Sequence, residues 1–110
     1  MEYNWADEAD FAVTICDLEG VVIYRNRRSA DTFSKYGELM GRSLKDCHSQ
    51  ASWDKIVQMM KRGESNTYSV ETGGIKKVIH QTPLLQDGNV SGMIEISVIT
   101  PDNMKHFKRD

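Results

Sequence analysis

FAVTICDLEGVVIYRN, residues 11–26, decides the fold. Its first six residues alternate, with Phe11, Val13 and Ile15 on one side and Ala12, Thr14 and Cys16 on the other, which is the period of a strand. Asp17-Leu18-Glu19-Gly20 supplies turn chemistry, since a glycine reaches positive φ without a Cβ penalty. Val21-Val22-Ile23-Tyr24 is β-branched and aromatic, a second strand. Residues 11–25 therefore read as a hairpin, and Asn26 is placed to cap a helix after it.

The middle of the chain is helical. Residues 27–36 read as a short helix with Ala30 and Phe33 buried and Gly37 just past its end. Residues 41–47 are irregular, with room for one helical turn. The clearest helix is residues 52–63, where Trp53, Ile56, Val57 and Met60 recur at i, i+3, i+4 and i+7. Ser52 is placed to cap it, Lys61 and Arg62 suit its C-terminal dipole, and Gly63 ends it. The chain then returns to strands at 67–71, at 75–82 with Pro83 as the stop, and at 90–100. Gly73-Gly74 and Asp87-Gly88-Asn89 are the turns between them. Strands at both ends with helices between them predict an α+β domain: one antiparallel sheet covered on one face.

Composition narrows the classes. At 110 residues with a formal charge of −2 and a pI near 5.9, the chain is one compact domain without the basic stripe that nucleic acid requires. No apolar run approaches the length of a bilayer span, and the acidic residues 1–10 are no signal peptide, so the expected location is cytoplasmic, with neither a membrane nor a nucleic-acid partner. Cys16 and Cys47 cannot build a disulfide framework and are expected to stay reduced. Residues 1–10 read as a lead-in segment or short helix, 11–100 as the domain, and 101–110 as a tail.

Four segments in this order resemble the PAS domain family. Asp17-x-x-Gly20 with Asn26 is similar to its first hairpin and helix cap, and Leu39-Met40-Gly41-Arg42-Ser43-Leu44 to its Leu-(Ile/Met)-Gly-(Lys/Arg)-(Ser/Pro) segment. Thr82-Pro83-Leu84 with Asp87-Gly88 resembles the end of its fourth strand, and residues 92–100 its closing strand, although Val98-Ile99-Thr100 lacks the usual acidic residue. The resemblance implies a five-stranded antiparallel sheet, with short helices and one longer helix across one face, enclosing a small pocket. It also implies a bacterial-type sensory or regulatory role in signal transduction: binding a small molecule, mediating dimerisation, and passing a change to a downstream signalling protein or output domain.

The pocket implied by that fold has several candidate residues. Cys47-His48 could form a thiolate pair or metal ligands, but adjacent side chains diverge and no CxxC or HxxxH completes a site. The preferred reading is a loop histidine without that role. Haem through His48 is a narrower alternative: the register set by residues 53–56 puts the ligand position of haem-binding PAS sensors near Ser52, one turn away. The flavin-cysteine signature does not match residues 45–49. No cofactor is assigned. One of His80 and Gln81 must face the pocket, with an exposed sheet face as the other reading for His80. Arg25, beside Tyr24, is either a cation at the pocket mouth or a solvated charge.

Trp53, Val57 and Met60 are core residues whose face also lines the pocket, and Met59, Met60 and Met93 would make that lining adaptable. Tyr3 and Trp5 ahead of the first strand, and an apolar outer face including Ile79 or Ile94, point to a homodimer. A ligand-free interaction module competes with the sensor. No nucleophile elbow, P-loop, dinucleotide fingerprint or zincin motif is present, so no catalytic residue is assigned. The enzyme reading kept open is a small cavity-containing isomerase with Glu95 as its base.

Overall fold

In the computed structural model, which describes residues 4–32, 40–46 and 48–110, β1 (Ala12–Asp17) and β2 (Val22–Arg25) form the expected hairpin. The turn is tied by Asp17, whose Oδ1 accepts from the amides of Glu19 and Val21, each at 2.9 Å. Gly20 closes it at φ 83°, where a Cβ would also lie 2.3 Å from the ring of Trp53. The turn thus needs a glycine twice: for the backbone, and for the indole that packs onto it.

α1 is described as Arg27–Thr32, capped by Asn26, whose Oδ1 accepts from Ser29 N at 2.9 Å. Its buried residue is Ser29 rather than Ala30, because the Ser29 hydroxyl bonds Thr14 Oγ1 on β1 at 2.6 Å. The expected end of this helix, with Phe33 and Gly37, lies outside the described residues, as do Tyr3, Leu39 and Cys47. A 3-10 turn at Leu44–Asp46 precedes α2 (Gln50–Arg62).

The cap of α2 is Ser49, three residues before the expected one. Its side chain accepts from Ser52 N, and Ser49 holds extended backbone that Ser52 has already left for the helix. The C-terminal end falls at Gly63 as expected, in the left-handed conformation at φ 64°, with its amide on the carbonyls of Met59 and Met60.

β3 (Asn66–Thr72), β4 (Ile75–Gln86) and β5 (Asn89–Thr100) complete a five-stranded antiparallel sheet in the order β2-β1-β5-β4-β3. β4 does not stop at Pro83 but continues to Gln86, with Pro83 opposite Met93. The reason is local: β3 pairs β4 only as far as Gln81, so beyond that point one side of β4 is a free edge, where a missing N–H leaves no ladder bond unmade.

The register sorts the two faces. Cys16, Val22 and Met93 look toward α2 and pack with Leu44, Trp53, Ile56, Met59 and Met60 in one buried cluster, with Val57 and Val90 at its margin. Each fully buried apolar side chain of this kind contributes about 1.5–3 kcal/mol. Met59, Met60 and Met93 are closed into this core.

The opposite, outer face carries Val13, Ile15, Ile94, Ile96 and Val98. Of the two isoleucines expected there, Ile94 is outside and Ile79 is on the helix side. Residues 4–10 form turns rather than a helix and are held against the sheet by Asn26. Its Nδ2 donates to the carbonyls of Ala6 and Phe11 at 2.8 Å, while its Oδ1 takes Val13 N at 2.9 Å. Ion pairs from Arg27 to Glu8 and from Arg28 to Asp10 add a weaker, exposed clasp.

Candidate functional site

A row of polar side chains crosses the helix-facing side of the sheet. Arg25 on β2 pairs with Thr14 on β1, Thr14 with Glu95 on β5, Glu95 with Gln81 on β4, and Gln81 with Asn66 on β3. Polar residues in consecutive strands on a buried face need partners; Glu95, Gln81 and Asn66 partner one another, and Thr14 is met by Ser29 on α1. Gln81 is 6% exposed; its Nε2 donates to Glu95 Oε2 at 3.0 Å and its Oε1 accepts from Asn66 Nδ2 at 3.4 Å.

Where this row meets the start of α2, it opens into a cleft of about 250 Å³ lined by His48, Ser52, Lys55, Ile56, Asn66, Tyr68 and Gln81. Ile56 is the one wholly apolar side chain in that lining among the described residues. His48 is half-buried with Nδ1 2.9 Å from the Leu44 carbonyl. A carbonyl only accepts, so Nδ1 carries a proton and donates it to Leu44, which leaves Nε2 toward the cleft. Burial, and then the charge of Glu95, pushes the Tyr68 phenol above its ordinary pKa.

Of the residues expected to form a pocket, His48 and Gln81 meet here. Trp53, Val57 and Met60 belong to the core cluster and its margin, away from this opening. Arg25 lies half-buried at the far end of the polar row. His80 and Tyr24 are on the outer face, where His80 Nδ1 meets Thr67 Oγ1 at 2.6 Å and Tyr24 donates to Asp7. Burial and the Asp7 carboxylate push the Tyr24 phenol up to about 12. Cys47 lies outside the described residues. The choice between His80 and Gln81 thus falls to Gln81.

Ser52, Lys55, Asn66 and Tyr68 were not anticipated from the sequence. The alternation of β3 could have put Asn66 and Tyr68 on the Gln81 face, but the register that brings them to α2 is set by pairing across two strands.

Among the described residues no group of three or more His, Cys, Asp and Glu could hold a metal ion. Cys16 is buried on the helix side and His80 stands outside, so they cannot share a ligand. Burial, reinforced by Asp17 and Glu95, raises the Cys16 thiol to about 11, which keeps it protonated and unreactive. The polar lining and size of the cleft do not suit a haem at His48, since ligand pockets for larger groups start near ~300 Å³ and are mostly apolar. Glu95 is tethered by Gln81 rather than standing free toward the cleft.

Comparison with solved structures places this architecture. The PAS domain of histidine kinase ThkA superposes with a TM-score of 0.67 at 17% identity, over 82% of this chain and 99% of that one. The PAS domain of an HTR-like protein from Haloarcula marismortui gives 0.63 at 13% identity over 86% and 85%. The chain has a PAS-like fold. A sensory box sensor histidine kinase from Vibrio cholerae shares the PAS-like fold with a TM-score of 0.64 at 15% identity, over 86% of each chain. No family model matches the sequence, and no curated protein matches it. In this PAS-like sheet the cleft lies between the long helix and the β3–β4 wall. No helix among the described residues is long and apolar enough to cross a membrane.

Proposed function

We propose that this chain is a sensory or regulatory domain in signal transduction that takes a small molecule into the cleft between α2 and the β3–β4 wall. The observation that carries this reading is the Asn66–Gln81–Glu95 chain of amides and carboxylate, which fixes donors and acceptors in advance beside an opening. Pre-set polar groups orient a ligand at little entropic cost. The reading gives the chain a binding role in the cytoplasm, with no reaction of its own and an output partner that responds to the bound state. Native mass spectrometry of the freshly purified protein tests it. A co-purifying molecule, or a metabolite that binds on addition, is expected to be lost in Gln81→Leu while the variant stays folded. Retention of the same molecule by Gln81→Leu would place the binding elsewhere.

A second reading, self-association through the outer face, is favoured by a specific observation. Trp5 is 60% exposed beside a groove of about 320 Å³ whose walls include Val13, Ile15, Ile94 and Ile96, and Val98 extends the apolar strip. In this reading two copies pair across their sheets, and Ile96→Lys returns the protein to monomer. Light scattering at high micromolar concentration measures it; a wild-type monomer there would remove the dimer from the account.

A further inference from the structure

The polar row decides more than that a ligand fits; it decides which groups the cleft presents. A carboxylate only accepts hydrogen bonds, so Glu95 forces the Gln81 amide to turn its NH2 inward. The Gln81 carbonyl must then face Asn66, which answers with its own NH2. The Asn66 carbonyl oxygen is left as the amide acceptor with capacity to spare. The carboxylate alone dictates both amide orientations.

On the opposite wall, Lys55 is the single fixed charge among the described lining residues, and none of these is a carboxylate. Glu95 stands one residue behind, with one oxygen occupied by Gln81. Ser52 and Tyr68 add hydroxyls. The cleft therefore offers a cation on the helix side and an acceptor on the sheet side. A volume of about 250 Å³, where about 150 Å³ already holds a benzene ring, limits the guest to roughly a dozen non-hydrogen atoms.

We infer that the cleft takes a small hydroxycarboxylate, its carboxylate on Lys55 and its hydroxyl donating to Asn66 Oδ1. The inference rests on the reading of the cleft as a ligand site and specifies the class of ligand. A neutral amide forgoes the charge on Lys55, and an amine meets a like charge there.

Thermal unfolding at matched ionic strength tests it, with sodium lactate, sodium propionate, lactamide and ethanolamine as probes. Lactate is expected to raise the melting temperature, propionate less, and lactamide and ethanolamine not at all. Lys55→Met is expected to weaken lactate about two- to fivefold, the size of one exposed charge contact. Lys61→Met, on the exposed last turn of the same helix, leaves it unchanged. Asn66→Ala removes the preference for lactate over propionate while retaining propionate. Stabilisation by lactamide or ethanolamine without lactate overturns the ligand class and leaves the cleft a ligand site. The ligand class is likewise overturned, and the ligand site kept, if no probe acts but native mass spectrometry finds a bound molecule lost in Gln81→Leu. If no probe acts and no molecule is bound, the class and the ligand site both fall.

Discussion

Replacing Asn26 with alanine removes one side chain that serves three parts of the molecule at once. It is 2% exposed and makes four hydrogen bonds: to Val13 N and Ser29 N through Oδ1, and to the carbonyls of Ala6 and Phe11 through Nδ2. Loss of a helix cap costs about 1 kcal/mol. The Val13 amide, on a buried residue of a central strand, loses its acceptor at about 1–3 kcal/mol. The Phe11 carbonyl sits nearer the surface, where water replaces the amide, while the Ala6 carbonyl lies in a buried bond and adds to the cost. The expected destabilisation is about 3 kcal/mol, or roughly 10–15 °C in melting temperature for a domain this size.

Asn26→Asp separates the contributions. It keeps the acceptor for Val13 and Ser29 but sets an oxygen against two carbonyl oxygens. Protonated, the acid donates to one of them; ionised, it donates to neither. Its pKa is therefore raised in the folded state above the ordinary aspartate value near 3.9. A group whose folded pKa is raised contributes stability below its unfolded pKa and loses it as pH rises through the folded one. The gap between Asn26→Asp and wild type should widen from pH 4 to pH 7. Urea unfolding followed by tryptophan fluorescence reads both variants. A loss under about 1 kcal/mol in Asn26→Ala, or a gap for Asn26→Asp that ignores pH, would refute the role assigned to this residue.

Two more outcomes concern the core. Because the Cys16 thiol is raised to about 11 in the folded protein and ionises near 9 when unfolded, stability should fall as pH climbs from 9 to 11. Alkaline denaturation of Cys16→Ala, less stable at neutral pH, should lack the slope between pH 9 and 10 and keep the part above it that the raised Tyr24 and Tyr68 phenols supply. Gly20→Ala should cost roughly 3 kcal/mol, from a positive φ and a methyl driven into the Trp53 ring. Combined with Trp53→Leu it should cost clearly less than the sum, and strict additivity in the double-mutant cycle would show that the two never touch.

The hairpin, the cap at Asn26, the long helix and the order of elements were legible because each rests on local rules: alternation, turn chemistry and helical period. The start of α2 and the end of β4 were not. Ser49 and Ser52 both have cap chemistry, and only backbone conformation chooses between them. Pro83 reads as a stop unless one knows that β3 has already ended beside it. The polar row is the clearest case of non-local information. Arg25, Thr14, Glu95, Gln81 and Asn66 are scattered along the chain, and only the sheet order makes them neighbours. For the same reason Ser29, buried against Thr14, was not among the helix positions expected to be buried.

β1 sits inside the sheet between β2 and β5, with Ala12 opposite Ser97 and Asp17 opposite Gly92. The strand made first by the ribosome therefore waits for the strand made last. Until then the β1–β2 hairpin has one open ladder and an apolar surface without its neighbour, while β3 and β4 can already zip through their own turn. Such late, long-range closure is slow and is exposed to competing pairings. A nascent chain cut within β5 should thus be seized by chaperones, and the last dozen residues of the sheet act as the step that commits this domain to its native state.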